Sequence, residues 1–198
     1  MILASHILLW VAVIVLAALV AALARQVGIL HERIAPAGAL TLHQSVTVGD
    51  VPNALALRTV DGGSLTIGGR REARSQLLFF AAPDCPMCKS LLPVLRASAR
   101  AERDWLDVVI AGDGAEAPYR RMLAQHDITH LPLVLSEALG RSFGVAKLPY
   151  AVLLDEGGRI AALGLVNSRE HLESLFEAKE RGVASLQDFL ARREGSAR

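Results

Sequence analysis

The stretch QLLFFAAPDCPMCKSLLP, residues 76–93, joins an apolar run to a pair of thiols and then to a helix-like pattern. The apolar run Gln76–Ala82 is typical of a strand buried on both faces. The pattern from Met87 to Ala101 predicts a helix, and we expect Pro93 to kink it. Cys85 and Cys88, the two cysteines of the chain, therefore fall at the first turn of a helix that directly follows a buried strand.

This position favours thiolate chemistry. With Cys85 at the N-cap and Pro86 at the first helical position, unpaired backbone N–H groups and the positive end of the helix dipole face the Cys85 sulfur. Cys-x-x-Cys spacing at a helix start can lower a thiol pKa from about 8.5 to roughly 3.5–7.5. We therefore predict that Cys85 is the nucleophile and that Cys88, one turn further on, is shielded and resolves a mixed disulfide formed at Cys85.

Other roles for the thiols remain open on the sequence. His126 and His130 have the spacing for a Cys2His2 zinc site with the two cysteines, although we expect this pair to straddle a helix end. A purely structural disulfide would close only a tiny loop, and inert buried thiols are a further alternative. Peroxiredoxin chemistry is not supported, because Ala82 stands where that reaction would need a Thr or Ser. We predict no metal and no cofactor.

Residues 1–24 are predicted to form a transmembrane anchor. Ile7–Ala24 is a run of eighteen residues without a polar or charged side chain, and with the residues ahead of it the segment can span about 30 Å of hydrocarbon. A cleaved signal peptide is the alternative, since Ala22-Leu23-Ala24 resembles a cleavage site with small residues at both ends. However, no Lys or Arg precedes the run, which also exceeds the usual apolar core of about 7–15 residues in a signal peptide.

Two signals disagree about the orientation of this anchor. Arg25 and Arg33 follow the span and no basic residue precedes it, so the positive-inside rule would place the rest of the chain in the cytoplasm. A tethered Cys-x-x-Cys domain instead suits an oxidising compartment. We predict a single-pass membrane protein whose globular domain lies on the external face.

The remainder of the chain is predicted to form one α/β domain at residues 46–181, after a juxtamembrane linker at 25–45 and before a C-terminal tail at 182–198. The net charge of +1, from 21 basic and 20 acidic residues, offers no field for nucleic acid. Strands alternating with helices indicate a mixed sheet. The expected elements are a β-hairpin at Ala54–Val60 and Ser64–Ile67, strands at Asp107–Ala111, Leu131–Leu135, Tyr150–Asp155 and Arg159–Gly164, and helices at Ala117–His126 and Arg169–Arg181, the last capped by Ser168.

These features together carry a family resemblance. A strand, Cys-Pro-x-Cys, a kinked helix and a later Leu-Pro before a hairpin resemble the thioredoxin-like fold of the redoxin type, with an N-terminal β-hairpin. The segments Phe80–Pro93, Val145–Tyr150 and Arg181–Leu186, together with the predicted anchor, are similar to the MauD family of methylamine dehydrogenase accessory proteins. Those proteins are implicated in maturing the disulfide-rich small subunit of a periplasmic quinoprotein.

The resemblance implies a redox pair at Cys85 and Cys88 and a cis proline at Pro149. A cis X-Pro bond costs only about 0.5–1 kcal/mol, and it would expose the backbone of Leu148 to an incoming peptide strand. We expect the client protein to contact Leu148, Pro149, Pro86 and Met87. The implied partners are the methylamine dehydrogenase small subunit, a membrane or periplasmic redox protein and the inner membrane. The resemblance thus implies a single-pass inner-membrane protein whose globular domain faces the periplasm.

Two positions depart from the thioredoxin pattern. Asp84 stands where thioredoxins carry Trp, and its charge would oppose a Cys85 thiolate unless it points to solvent, as we expect. Phe79 stands where thioredoxins bury an acid that relays a proton, so the proton for Cys88 must pass through water or another group.

The sequence thus predicts a membrane-anchored thiol-disulfide oxidoreductase or isomerase that assists maturation of the methylamine dehydrogenase small subunit. Two alternatives stay open. A reductase for apocytochrome c cysteines would use the same pair at a more negative potential. A membrane-tethered binding module or holdase would not need the thiols at all.

Overall fold

The computed structural model describes residue 6, residues 9–20 and residues 46–181. Between residues 46 and 181, strands and helices alternate as the sequence pattern predicts. In chain order the elements are β1 Leu55–Arg58, β2 Ser64–Ile67, β3 Ser75–Phe80, α1 Pro86–Ala101, β4 Leu106–Gly112, α2 Glu116–Gln125, β5 Leu133–Leu135, α3 Glu137–Ser142, β6 Tyr150–Leu154, β7 Ile160–Leu165 and α4 Arg169–Arg181.

Part of the predicted anchor is described, as a helix over residues 9–20 whose side chains are exposed. Within the described residues, no helix combines the length and the apolar character needed to cross a membrane. The rest of the predicted anchor, the predicted linker at 25–45 and the predicted tail at 182–198 lie outside the described residues.

A five-stranded sheet with the order β5-β4-β3-β6-β7 forms the centre of the domain. Strands β3, β4 and β5 run parallel, whereas β6 is antiparallel to both β3 and β7. This confirms the mixed sheet. Every residue of β3 is buried, as the unbroken apolar run predicted for a central strand covered on both faces.

The two faces of the sheet have separate cores. Side chains of β3 alternate between them, so that Phe79 packs with helices α1, α2 and α4, and Phe80 packs with α3 and the hairpin. The first core contains Cys88, Leu92, Tyr119 and Leu172, among others. The second contains Ile67, Val134, Leu139 and Phe143, among others. Cys85 and Cys88 therefore lie at the start of α1, which packs on one face of the sheet and follows the fully buried strand β3.

The predicted N-terminal hairpin forms a two-stranded sheet of its own, β1-β2. Its turn contains Gly62 at φ +86°, a left-handed conformation that glycine adopts without strain. A buried amide fastens the hairpin to the central sheet, because Gln76 accepts from Gly68 N at 3.0 Å and donates to the Thr66 carbonyl at 3.1 Å. The sequence analysis predicted Gln76 only as the first residue of a strand, and the structure shows that its side chain joins the two sheets.

The structure adds one helix that the sequence analysis did not predict. Helix α3 spans only Glu137–Ser142, too short for a clear helical period, and Ser136 caps it by accepting from Leu139 N at 3.2 Å.

Helix α1 was predicted, with a kink expected at Pro93. The helix continues through Pro93, which lies on its exposed side. The Ser168 cap of α4 is confirmed, with His171 N donating to its hydroxyl at 3.3 Å.

An ion cluster lies at the starts of β3 and β4, remote from the thiols at the other end of β3. Arg74 Nε donates to Asp107 at 3.0 Å, and the Arg71 guanidinium pairs with the other carboxylate oxygen. The hydrogen bond from Arg74, helped by that from Arg71, lowers the pKa of Asp107 below its ordinary value. Asp107 is thus an anion in the folded protein at pH values where the unfolded chain has begun to take up a proton.

We expect Asp107→Asn to lower the free energy of unfolding by about 1–2 kcal/mol at neutral pH, because two guanidinium groups lose their shared anion. Since the folded pKa is the lower one, this contribution is present above the unfolded pKa and disappears as the pH falls through the folded value. Urea unfolding across the acid range should therefore show the wild-type and variant curves converging. A constant difference down to the lowest pH would contradict this linkage.

Candidate active site

The end of β3 delivers Cys85 to the start of α1. Cys85 is the N-cap residue, with extended backbone angles of φ −86° and ψ 108°, and Pro86 follows at the first helical turn. The Cys85 sulfur accepts a hydrogen bond from the backbone N–H of Cys88 at 3.0 Å. A donor of the otherwise unpaired first turn thus points at this sulfur, which is the arrangement that stabilises a thiolate.

Cys85 and Cys88 are joined in a disulfide, with their Cα atoms 5.2 Å apart. The two residues differ in accessibility, since Cys85 is half-buried and Cys88 is fully buried at 0% exposure. An incoming sulfur atom can therefore approach Cys85 but not Cys88. The sulfur predicted to attack is thus the more accessible of the two, and the sulfur predicted to resolve the mixed disulfide is the buried one.

The surroundings of the pair are apolar on the inner side. Phe79, with no exposed surface, belongs to the same core as Cys88. The buried polar residues of the described chain are Ser75 and Gln76, so no carboxylate is buried near this disulfide. Asp84 is exposed, as expected. Burial in apolar surroundings disfavours a thiolate at Cys88, whereas the backbone N–H groups at the helix start favour a thiolate at Cys85.

The Leu-Pro segment lies beside the strand that leads to the thiols. The Leu148–Pro149 peptide bond is cis, as the resemblance implies. Phe80 pairs with Tyr150 in the ladder between β3 and β6, so Pro149 comes next to the start of the loop that carries Cys85. Pro149 is buried, and its carbonyl accepts from Val166 N at 3.1 Å.

Three of the predicted client contacts are exposed. Pro86 and Met87 lie in the first turn of α1, with Met87 44% exposed, and Leu148 is 38% exposed. No hydrogen bond reaches the backbone N–H or C=O of Leu148 from any part of the described chain. Both groups are therefore available to a polypeptide that approaches the disulfide.

Tyr119 is a residue that the sequence analysis missed. Its hydroxyl donates to the Ala81 carbonyl at 3.0 Å and accepts from Asp113 N at 3.2 Å, which ties the end of β3 to the end of β4. Burial raises the pKa of Tyr119, with the charges of Asp113 and Asp84 adding to the effect, so the hydroxyl remains a donor. Gly112 accommodates the ring, because any Cβ there would overlap the Tyr119 hydroxyl.

The histidine pair does not form a metal site with the cysteines. His126 is the C-cap residue of α2, so the pair straddles a helix end as expected. Within residues 46–181, no group of three or more His, Cys, Asp or Glu side chains is arranged to hold a metal ion.

We expect Cys85 in the reduced protein to react with iodoacetamide faster than free cysteine at about pH 6.5, since the N–H of Cys88 favours its thiolate. Cys88 should stay nearly unmodified, because it is buried. Mass spectrometry of quenched samples locates the label. The matched controls are Cys88→Ser, which should keep the fast reaction, and Cys85→Ser, which should lose it; equal labelling of both thiols would contradict the geometry.

Tyr119→Phe should lower the free energy of unfolding by about 1–3 kcal/mol, because it leaves the Ala81 carbonyl and the Asp113 N–H without a partner. The control is Tyr150→Phe, since no group of the described residues hydrogen-bonds to the Tyr150 hydroxyl, and burial alone raises its pKa. Urea denaturation of the three proteins measures the difference. Equal losses from the two substitutions would show that the Tyr119 hydrogen bonds add nothing.

Comparison with known proteins agrees with this geometry. The protein family described as thioredoxin-like matches residues 74–160. Several solved structures share the fold at low identity. The thioredoxin domain of a thiol-disulfide oxidoreductase from Bacteroides vulgatus has a TM-score of 0.57 and 16% identity, covering 67% of this chain and 98% of that one. StoA from Bacillus subtilis has a TM-score of 0.54 and 22% identity, covering 64% and 98%.

Several relatives match over nearly the whole chain. Methylamine utilization protein MauD of Paracoccus versutus is 44% identical over 194 residues, which cover 98% of this chain and 97% of the relative. Methylamine utilization protein MauD of Methylorubrum extorquens is also 44% identical over 194 residues, covering 98% and 94%. With a disulfide at the cap of the first helix of a thioredoxin-like domain, this chain is a thiol-disulfide oxidoreductase and belongs to the MauD family of methylamine utilization proteins.

Proposed function

We propose that this protein is anchored in the inner membrane and forms or rearranges disulfides in the methylamine dehydrogenase small subunit in the periplasm. The observation that carries the proposal is the disulfide at the start of α1, which offers Cys85 to an incoming thiol and keeps Cys88 buried. The names of the relatives support a role in methylamine utilization. The small subunit as client follows from the family resemblance.

Oxidation of the client needs two exchange steps. A client thiolate attacks the Cys85 sulfur, the Cys85–Cys88 bond breaks, and Cys88 leaves and takes up a proton. A second client thiolate then attacks the client sulfur of the mixed disulfide, and Cys85 leaves as a thiolate. The client loses two electrons and the protein gains them, so a membrane or periplasmic redox partner must reoxidise the pair. In isomerisation, the reduced Cys85 thiolate instead attacks a wrong client disulfide, and one client sulfur leaves as a thiolate. A client thiolate then attacks the client sulfur of the mixed disulfide, which forms the new client disulfide and releases Cys85 as a thiolate.

The helix start assists the second step in particular. The leaving Cys85 sulfur faces the Cys88 N–H, which stabilises the charge that it acquires. Cys88 lies near Phe79 in an apolar core, and no carboxylate is buried in the described chain. Its proton therefore comes from water or from the client that reaches the accessible side of the pair.

The client has a backbone to pair with beside the disulfide. The N–H and C=O groups of Leu148 have no partner in the described chain, and an extended peptide can hydrogen-bond to such groups as an added strand. The exposed side chains of Met87 and Leu148 offer apolar contacts next to it. This arrangement suits an unfolded or loosely folded polypeptide better than a small thiol.

The apolar N-terminal helix supports attachment to a membrane. The side chains of Trp10, Ile14 and Leu16 are each 64% exposed, and the segment carries no charge. A helix that exposes so many large apolar side chains is stable in lipid and not in water.

A trapping experiment tests the client. In full-length Cys88→Ser, Cys88 is not available to displace the client from a mixed disulfide at Cys85, so attack of reduced Cys85 on a disulfide of the small subunit should leave a Cys85 adduct that accumulates. Non-reducing electrophoresis and mass spectrometry identify it. The double variant Cys85→Ser, Cys88→Ser is the matched control and should give no adduct.

The competing functions predict different products. Selective capture of apocytochrome c, with no small-subunit adduct, would favour the reductase. Tight binding of the small subunit by the double variant, with no adduct to Cys88→Ser, would favour a holdase and overturn the proposal.

A further inference from the structure

A side pocket opens beside Leu148, away from the disulfide. Its volume is about 290 Å³, and it lies between the ends of β3 and β4, one face of α3 and the loop that leads to Pro149. We call it the α3 pocket. Its wall and floor include Phe80, Gly112, Ser136, Gly140, Val145 and Leu148.

The α3 pocket lies on the opposite face of the sheet from Cys88. Phe80 belongs to the core of α3 and the hairpin, whereas Cys88 belongs to the core of α1. Leu148 lines the pocket and precedes Pro149, which by the register of β3 and β6 lies beside the loop to Cys85. A polypeptide that pairs with the Leu148 backbone can therefore reach both the thiols and this pocket.

The chemistry of the pocket is apolar inside and charged at the mouth. Phe80, Val145 and Leu148 provide carbon surface. The charged lining residues are Asp113, Glu137, Arg141 and Lys147, all exposed, and Glu137 and Arg141 pair with each other. The inner surface thus fits an uncharged side chain, while the backbone of the same ligand remains at the polar rim.

We propose that the α3 pocket receives an aliphatic side chain of the client polypeptide, located near the client cysteine that reacts with Cys85. This inference rests on the proposed function, since the pocket is reached through the Leu148 backbone. A volume of about 290 Å³ lies at the lower limit of small-molecule sites and holds one or two side chains. The pocket thereby selects client cysteines by their neighbouring sequence.

The hydrogen bonds of Tyr119 shape one wall of this pocket. Its hydroxyl fixes the Ala81 carbonyl and the Asp113 N–H, and both residues line the opening. Gly140 also lines the pocket, and a Cβ added there would have no atom within 4 Å. Open space at a helical position allows the pocket to be filled by a single substitution.

A peptide series with full-length Cys88→Ser tests the inference. Each peptide consists of glycine and serine around one cysteine held as a mixed disulfide with thionitrobenzoate. Attack by reduced Cys85 forms the Cys85–peptide disulfide and releases thionitrobenzoate, which is measured by its absorbance. A single leucine is moved from three residues before the cysteine to three residues after it. We expect the second-order rate constant to rise about tenfold at one or two positions, because leucine becomes partly buried.

Gly140→Leu in the same protein should abolish this leucine preference, so that leucine-containing and leucine-free peptides react at the same rate. Ala138→Leu is the matched control, since Ala138 lies exposed on α3 outside the pocket lining, and it should keep the preference. Gly140→Ala fills less space and should reduce the preference partially, which provides a second test if the leucine variant does not fold.

Two failures are distinguishable. If the peptides react at Cys85 but leucine has no effect at any position, or if Gly140→Leu slows all peptides equally, the inference is wrong and the proposed function stands. If no peptide forms an adduct at Cys85, the proposed thiol exchange fails, and the inference fails with it.

Discussion

The hydrogen bond from the Cys88 N–H to the Cys85 sulfur is the interaction on which the chemistry of this protein depends. A helix must begin with backbone donors that have no partner within the helix. In this protein the Cys85 sulfur accepts from one of these donors. The same hydrogen bond therefore caps the helix and stabilises the Cys85 thiolate. Pro86 reinforces the arrangement, because it begins the helix without an N–H of its own.

Burial then gives the two sulfurs different roles. Strand β3 is covered on both faces, so the helix that follows it starts at the surface and turns inward within one turn. Cys85 remains accessible at the cap, and Cys88 enters the core of α1 beside Phe79. Because that core contains no carboxylate within the described chain, the buried sulfur depends on groups from outside the core for its proton.

The surroundings of the disulfide are built by parts of the chain that are far apart in sequence. The ladder between β3 and β6 brings Pro149 beside the loop to Cys85, and the Tyr119 hydroxyl joins the ends of β3 and β4. Gly112 permits that contact, since a larger residue would overlap the tyrosine. Together these contacts leave Leu148 with an unpaired backbone and a pocket on its far side. A client can therefore be recognised by its backbone and by a side chain, while the sulfur chemistry stays the same.

The sequence by itself determined the parts of the protein that arise from neighbouring residues. The run Gln76–Ala82, the Cys85 cap and the helix after it are local, so hydrophobic pattern and capping rules were sufficient to predict them. Only the tertiary structure revealed α3, which is too short to show a period. It also decided the partners of Tyr119, the free backbone of Leu148 and the pocket between them, because these depend on the register of strands separated by long stretches of chain.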